Sequence, residues 1–332
     1  MNIGFHYYIT KYLCMEAGFS EEDAQIIAYA CQYTDDATYH KLLKIRDMPE
    51  RTNIRMGPDW LDPTCTSYKG ISMFNLAKEG PREKVLKPFH FMPPEGKHIV
   101  VQDTSESRLL PELMVKNLKS HPPGDPCRQL HLVSIGIGLH TYQDTFAHAG
   151  FSARNSREDN AVYDVNLKHN GRVDILPLWA RIKGLLGYHI GHGRLDTFPD
   201  RFCTRIMYTN GRGEEQFVLN NNIFMLAAHR TFGILTQDQS TAQQHADIGH
   251  KVRSILRRNQ SSRRSWARYF KEKLPDIPFY YDEKEWENRT IRRDWLCRRF
   301  YTGDRIWIDF HDAAYSQRIY AIGRSRRGGT NE

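Results

Sequence analysis

Apolar positions along this chain recur mostly at helical spacing. Leu130, Val133 and Ile137 are followed at the same period by His140, Asp144 and His148, which predicts a long helix from about 127 to 149. Pro122-Pro-Gly-Asp-Pro126 breaks the chain before it, and Gly150 stops it. Residues 5–16 form an earlier helix with His6, Ile9 and Leu13 on one face, ended by Gly18. Ser20-Glu-Glu-Asp23 caps a second helix whose stripe runs Ala24, Ile27, Ala28, Cys31 and Asp35, with Asp36 off the stripe. Further helices are predicted over 106–119, near 176–186, over 216–235 and over 240–258. Residues 47–98 are proline-rich and loop-like, and 155–174 are polar and loop-like. The best strand signals are short, Ile99-Val-Val101 and Arg305-Ile-Trp-Ile-Asp309.

The 332 residues suffice for one large domain or two ordinary ones. No run of 18 apolar residues occurs, so no transmembrane helix is expected. The start, Met-Asn-Ile-Gly-Phe-His6, lacks the pattern of a secretory leader, and the expectation is a cytoplasmic protein, or one exported by another route. Six scattered cysteines contain no Cys-x2-Cys pair, which argues against a cysteine zinc knuckle. The net charge is +8, concentrated late in the chain, from Lys251 through Arg268 and again at Arg292, Arg293, Arg298 and Arg299. Such a surface suits phosphate-rich partners, either nucleic acid or an anionic membrane, and equally a plain solvated helix face.

Chemistry concentrates in His140-Thr-Tyr-Gln-Asp144-Thr-Phe-Ala-His148. On a helix these three groups share one face, and that face is the apolar one. Burying two imidazoles and a carboxylate without partners is costly, and a metal ion satisfies all three. A second cluster, His189-Ile-Gly-His192-Gly-Arg-Leu-Asp196, repeats an i, i+4 pair, although Gly191 and Gly193 weaken a helix there. Asp35 at a helix end and His90 between prolines and aromatics are single candidates, as is His6. Histidine and carboxylate donors without thiolates suit zinc, manganese or iron. More donors than one ion needs imply two or three ions, the usual arrangement for hydrolysing phosphate esters.

The order His6, Asp35, His90-Phe, His140-x3-Asp144-x3-His148 and His192-x3-Asp196 resembles the zinc-dependent phospholipase C / single-strand nuclease superfamily over roughly residues 1–200. The stretch from Gly18 to Asp36 also resembles an uncharacterised, non-secreted branch of it. The helical pattern predicts a mainly α, multi-helix metal-binding domain over 1–258, followed by a basic, aromatic-rich extension over 259–332 that either packs on the same domain or stands apart; the resemblance adds a phospholipase C / nuclease-like fold. The resemblance implies one zinc among Asp35, His90, His140 and Asp144, a second bridged by Asp144 and bound by His6, and a third held by His148, His192 and Asp196. Asp35 matches the family's general base. Three departures are the x3 spacing from Asp144 to His148, where the family has x5, Met1 in place of an N-terminal Trp, and a longer gap from Asp35 to His90. The longer Asp35-to-His90 gap implies a lid or substrate wall. The expected activity is metal-dependent phosphodiester hydrolysis through metal-activated water. Interleaved Trp, Tyr and Arg in the C-terminal region tip the substrate toward nucleic acid over phospholipid. The other reading is a non-catalytic, metal-stabilised helical effector whose basic face meets an acidic partner.

Overall fold

The computed structural model describes residues 1–328 apart from 40, 72–74, 76–77, 170 and 186. The chain opens on a π-helical segment, Gly4–Ile9, that runs directly into α1, Thr10–Glu16. Gly18, at φ +88°, turns it, and Ser20 accepts from the Asp23 N–H to cap α2, Glu21–Tyr33. A small antiparallel sheet of β1 (Leu43–Lys44), β2 (Arg55–Gly57) and β3 (Trp60–Leu61) fills part of the proline-rich region, in the order β1-β3-β2. Short helical turns through Lys87–Phe89 deliver His90. Next come α3, Ser105–Leu118, and α4, Arg128–Ala147.

A four-stranded antiparallel sheet, ordered β5-β4-β6-β7, is built from β4 (Val162–His169), β5 (Arg172–Asp174), β6 (Thr204–Asn210) and β7 (Glu215–Leu219), with α5 (Leu178–Leu185) between β5 and β6. After it follow α6 (Asn220–Thr236), α7 (Ala242–Ile255), α8 (Arg263–Lys273) and α9 (Glu285–Thr290). The hairpin β8 (Ile291–Arg293) and β9 (Arg299–Tyr301) precedes α10, Ile306–Gly328.

Helix α4 is the axis. It packs against α2, α3, α6 and α10, and its side chains are buried from Leu132 to Phe146 except Ser134. A helix enclosed on all sides is apolar all round, with its few polar groups given specific partners. Burial of Leu132, Val133, Ile135, Ile137 and Leu139 contributes about 1.5–3 kcal/mol for each side chain. Gly136 makes the enclosure possible. A Cβ there would lie 2.3 Å from the Ile27 carbonyl oxygen and 2.6 Å from the Ala30 Cβ, so α2 rides directly on the α4 backbone. On the opposite side Gly138 leaves room for Pro111 of α3, 3.3 Å from its ideal Cβ.

The expectation of a mainly α protein is overturned. About 49% of the structure is helix and 13% strand, with three antiparallel sheets, so the fold is mixed α and β. Residues 155–174, which read as loop, contain β4 and β5. Their alternation was obscured because the β4–β6 register shifts between Tyr163 and Asn166, where Asp164 takes φ +51°. In β6 the alternation is clean: Thr204, Ile206 and Tyr208 point inward, Arg205 and Met207 outward. The Arg305–Asp309 signal lies at the start of α10 instead of in a strand: the Asp304 carboxylate accepts from the Ile306 N–H at 2.9 Å, and Arg305 pairs with Asp309 one turn on. Ile99–Val101 forms no strand. Val100 exchanges backbone hydrogen bonds with Gly150 and Phe151 and so ties its loop to the end of α4.

The region from 259 onward contributes to the same cores as the rest. Trp266 and Phe270 belong to a cluster with Phe5, Ile27 and Phe224, while Trp286 and Trp307 pack with Tyr29, Val133 and Ile137. Among the described residues, no helix is long and apolar enough to cross a membrane.

Replacing Gly136 by Ala should force α2 away from α4 at about 1–3 kcal/mol. Gly323→Ala, on α10 with open space around it, serves as the control. Thermal melts should show a clear fall for the first and no loss for the second; equal melting temperatures would contradict the packing described.

Candidate metal centre

Five imidazoles converge on two carboxylates, and their tautomers follow from what lies behind each ring. A backbone carbonyl can only accept, so a ring nitrogen at hydrogen-bond distance from one must carry the proton. His140 Nδ1 lies 2.8 Å from the Cys31 carbonyl oxygen and His90 Nε2 lies 2.9 Å from that of Thr66. His148 Nδ1 lies 2.7 Å from the His90 carbonyl oxygen and His192 Nδ1 lies 2.8 Å from that of Asp196. Behind His6 is Gln143, whose amide nitrogen donates to Thr10 Oγ1, so its Oε1 accepts from His6 Nδ1 at 2.9 Å.

The other nitrogen of each neutral ring is therefore bare, and all five face inward. His90 Nδ1 and His140 Nε2 stand 3.2 Å apart, with Asp144 Oδ2 at 3.1 and 3.3 Å from them. His6 Nε2 is 3.1 Å from Asp144 Oδ1. His148 Nε2 lies 3.3 Å from Asp200 Oδ1, and His192 Nε2 lies 3.6 Å from Asp200 Oδ2. Lone pairs facing lone pairs in a buried site are unfavourable unless a cation joins them. Rings anchored from behind with bare nitrogens in front are the arrangement that metal-binding histidines adopt.

Among the described residues, three groupings have donor atoms within 4.8 Å of one another: Asp35, His90 and His140; His148, His192 and Asp200; and His6, Cys31 and His140. Each could hold a metal ion. The third is the weakest fit, because burial raises the Cys31 thiol well above its ordinary range and its sulfur faces Gln143 Oε1 at 3.4 Å. Asp144 joins the other two, approaching His90 and His140 on one side and His148 Nδ1 at 3.7 Å on the other.

Local structure explains each placement. The π-helical segment aims His6 at α4; such turns are rare and recur beside functional residues. Asp35 follows α2 in a turn whose N–H bonds the Gln32 carbonyl, leaving the carboxylate 4.0 Å from His90 Nδ1. Asp36 faces elsewhere, accepting from Gln32, Lys69, Tyr281 and Arg263. His140 and Asp144 project from α4, which ends at Ala147. His148 is its C-cap, at φ −103° and ψ 7°, so this ring leaves the helical stripe on which the sequence had set it.

The His192–Asp196 segment is a series of turns, not a helix, with Asp196 at φ +52°. Asp196 contributes its carbonyl to His192, while its carboxylate pairs with Arg201 at 3.7 Å, outside the cluster. The acid that joins His148 and His192 is Asp200, at the end of the 3₁₀ turn Phe198–Asp200. Because the segment is irregular, no spacing rule singles out Asp200 in the sequence. His189 stays out of the cluster, its backbone carbonyl accepting from Ser156 and Asn160. The Met1 amino group also lies in the site, ion-paired with Asp144 and 3.1 Å from Asp200.

The electrostatics are those of a cation site. Burial opposes ionisation of Asp144, but His148, the Met1 amine and His140 hold it well below the usual carboxylate range. Asp200 is lowered in the same way, against burial, by the Met1 amine and His192. Burial, then the neighbouring His6, lowers His140 to about 4, so it offers a neutral ring at pH 7. Burial also lowers His192. For His148 burial is outweighed by Asp144 and Asp200, and its pKa rises. The Met1 amine rises to about 11 against burial, through Asp144 and Asp200.

Residues 1–324 match a family of unknown function, DUF6765, and the chain belongs to that family. No curated protein and no solved structure matches it.

Asp200→Ala should remove bound metal from the purified protein, whereas Asp196→Ala should leave the metal content unchanged. Elemental analysis of both variants decides this. Loss in the second but not the first would mean that the turn positions its acids differently.

Proposed function

We propose that this member of the DUF6765 family is a metal-dependent phosphodiesterase, with zinc as the first candidate metal and manganese or iron as alternatives. One observation carries the reading. Two sets of inward-facing donors, Asp35 and His90 backed by His140, and His148 with His192 and Asp200, are joined through Asp144 and border a single cavity of about 830 Å³ whose wall also carries Lys69, Arg201 and Arg263. Imidazole and carboxylate without thiolate suit these metals. The order of the donors along the chain resembles that of the phospholipase C / single-strand nuclease superfamily, with Asp200 in the position expected of Asp196.

Asp35, His90, His140 and Asp144 would hold one ion, and His148, His192 and Asp200 another, with His6 directed at Asp144 between them. When bound, the ions supply an acidified water and positive charge for the phosphoryl oxygens. The protein supplies the proton acceptor. Asp35 borders the cavity and stays ionised: burial opposes this, but Lys69, then His140, His6 and His90, lower its pKa. It orients the attacking water and takes its proton. Lys69 and Arg263 are braced by the shared carboxylate of Asp36, at 2.7 and 2.9 Å, which fixes cationic groups on the wall where a phosphodiester enters. Tyr68, next to Lys69 in the long segment between Asp35 and His90, adds an aromatic face to that wall.

The test is turnover of bis(p-nitrophenyl) phosphate by protein loaded with zinc, manganese or iron. Asp35→Asn should lower kcat by roughly 100-fold or more with most of the metal retained. If no metal supports turnover and Asp35→Asn merely lowers the melting temperature, the ions are structural staples and the protein is a binding or effector module.

A further inference from the structure

The outer face of the four-stranded sheet and the segment that follows β5 carry large exposed apolar side chains, and the sheet face adds cations that, among the described residues, form no ion pair. Val173 on β5, Ile175 after it, and Leu178, Trp179 and Ile182 on α5 are 43–75% exposed. Met207 and Phe217 stand directly opposite each other across β6 and β7, at 50% and 60% exposure. Scattered exposed apolar residues are ordinary, but a contiguous run of this kind marks an interaction surface.

On the face of Val173, Met207 and Phe217, Lys168 and Arg205 are register partners across β4 and β6, a like-charge pair that costs stability where it stands. With Arg257 and Arg258 they line a cleft of about 1000 Å³ that, among the described residues, no carboxylate borders. Among the described residues, none of these four cations forms an ion pair, whereas Lys69, Arg212 and Arg263 each do. The nearby Asp174 accepts from the Ile175 N–H through Oδ1. Trp179 belongs both to this surface and to the wall of the metal cavity, and Asn259 and Gln260 border both cavities.

We infer that the sheet face and the adjoining segment together seat on an anionic lipid bilayer, with Ile175, Leu178 and Trp179 entering the headgroup region and Lys168, Arg205, Arg257 and Arg258 meeting lipid phosphates. Val173, Ile175, Leu178 and Ile182 are aliphatic and gain from the acyl boundary, and Trp179 suits the headgroup level; among the described residues there, a nucleic acid strand would find only Trp179 and Phe217 to stack on, which favours a membrane. Cations beside the inserted groups add electrostatic attraction to anionic lipid. The surface brings the mouth of the metal cavity to the headgroups. The substrate class that follows, a phospholipid phosphodiester, rests on the phosphodiesterase reading; the surface itself does not.

Co-sedimentation of the full chain with vesicles tests it, using phosphatidylcholine alone and an equal mixture with phosphatidylglycerol. The protein should partition onto the mixed vesicles, more weakly as salt rises. The double variant Ile175→Ser with Leu178→Ser should weaken this by about tenfold or more. Lys168→Glu with Arg205→Glu should remove the preference for anionic vesicles, while Arg264→Glu with Arg268→Glu, the same charge change on α8, should not. Undiminished binding by the serine variant would overturn the inference. So would failure to bind vesicles combined with salt-sensitive binding of a single-stranded oligonucleotide that Lys168→Glu with Arg205→Glu abolishes. Binding is read without turnover, so vesicle binding by a protein that hydrolyses no diester sinks only the phosphodiesterase reading. Turnover of bis(p-nitrophenyl) phosphate without vesicle binding sinks only the surface.

Discussion

Asp144 is buried within α4, with ring nitrogens of His6, His90 and His140 at 3.1 to 3.3 Å from its oxygens. None of these nitrogens has a proton to offer while its ring is neutral, because the proton of each sits on the far side, in a bond to an oxygen. A folded chain that turns so many acceptors toward one point depends on positive charge arriving there. The Met1 amine meets part of that need through its ion pairs with Asp144 and Asp200, and metal ions would meet the rest.

The surrounding architecture serves this constraint. Four parts of the chain, distant in sequence, must each bring a ring or a carboxylate to α4, and backbone carbonyls tie down most of the rings. The Thr66 carbonyl that orients His90 belongs to a segment bonded back to Thr34 and Ala37 at the end of α2. The Cys31 carbonyl that orients His140 lies in α2, which Gly136 lets approach α4. His148 is held by the His90 carbonyl, so the two ligand groups share a linkage besides Asp144. Close packing of α2 on α4 and correct aim of the rings are therefore one property.

The helical half of this arrangement was legible in the sequence. The stripe from Leu130 through Asp144 lies on α4, and the stripe from Ala24 ends where Asp35 turns toward His90. Both follow from a 3.6-residue period that survives in three dimensions. The sheet was not legible, because a register shift and the left-handed Asp164 interrupt the alternation in β4. Asp200 was not legible either. It lies in turns, where neighbours in space follow no fixed spacing, and the i, i+4 rule drew attention to Asp196, which contributes a carbonyl in place of a carboxylate. The residues that aim the rings, Gln143 and the carbonyls of Cys31, Thr66 and Asp196, lack any sequence signature, since every residue has a carbonyl.

The central claim is that the inward nitrogens are metal donors. Anomalous diffraction from crystals of the purified protein, collected at the absorption edge of the metal found in it, tests this most directly. The account predicts one peak about 2.0–2.2 Å from His90 Nδ1 and His140 Nε2 and another at the same distance from the Nε2 atoms of His148 and His192. Absence of both peaks, with the five rings turned so that their protons point at Asp144 and Asp200, would contradict it.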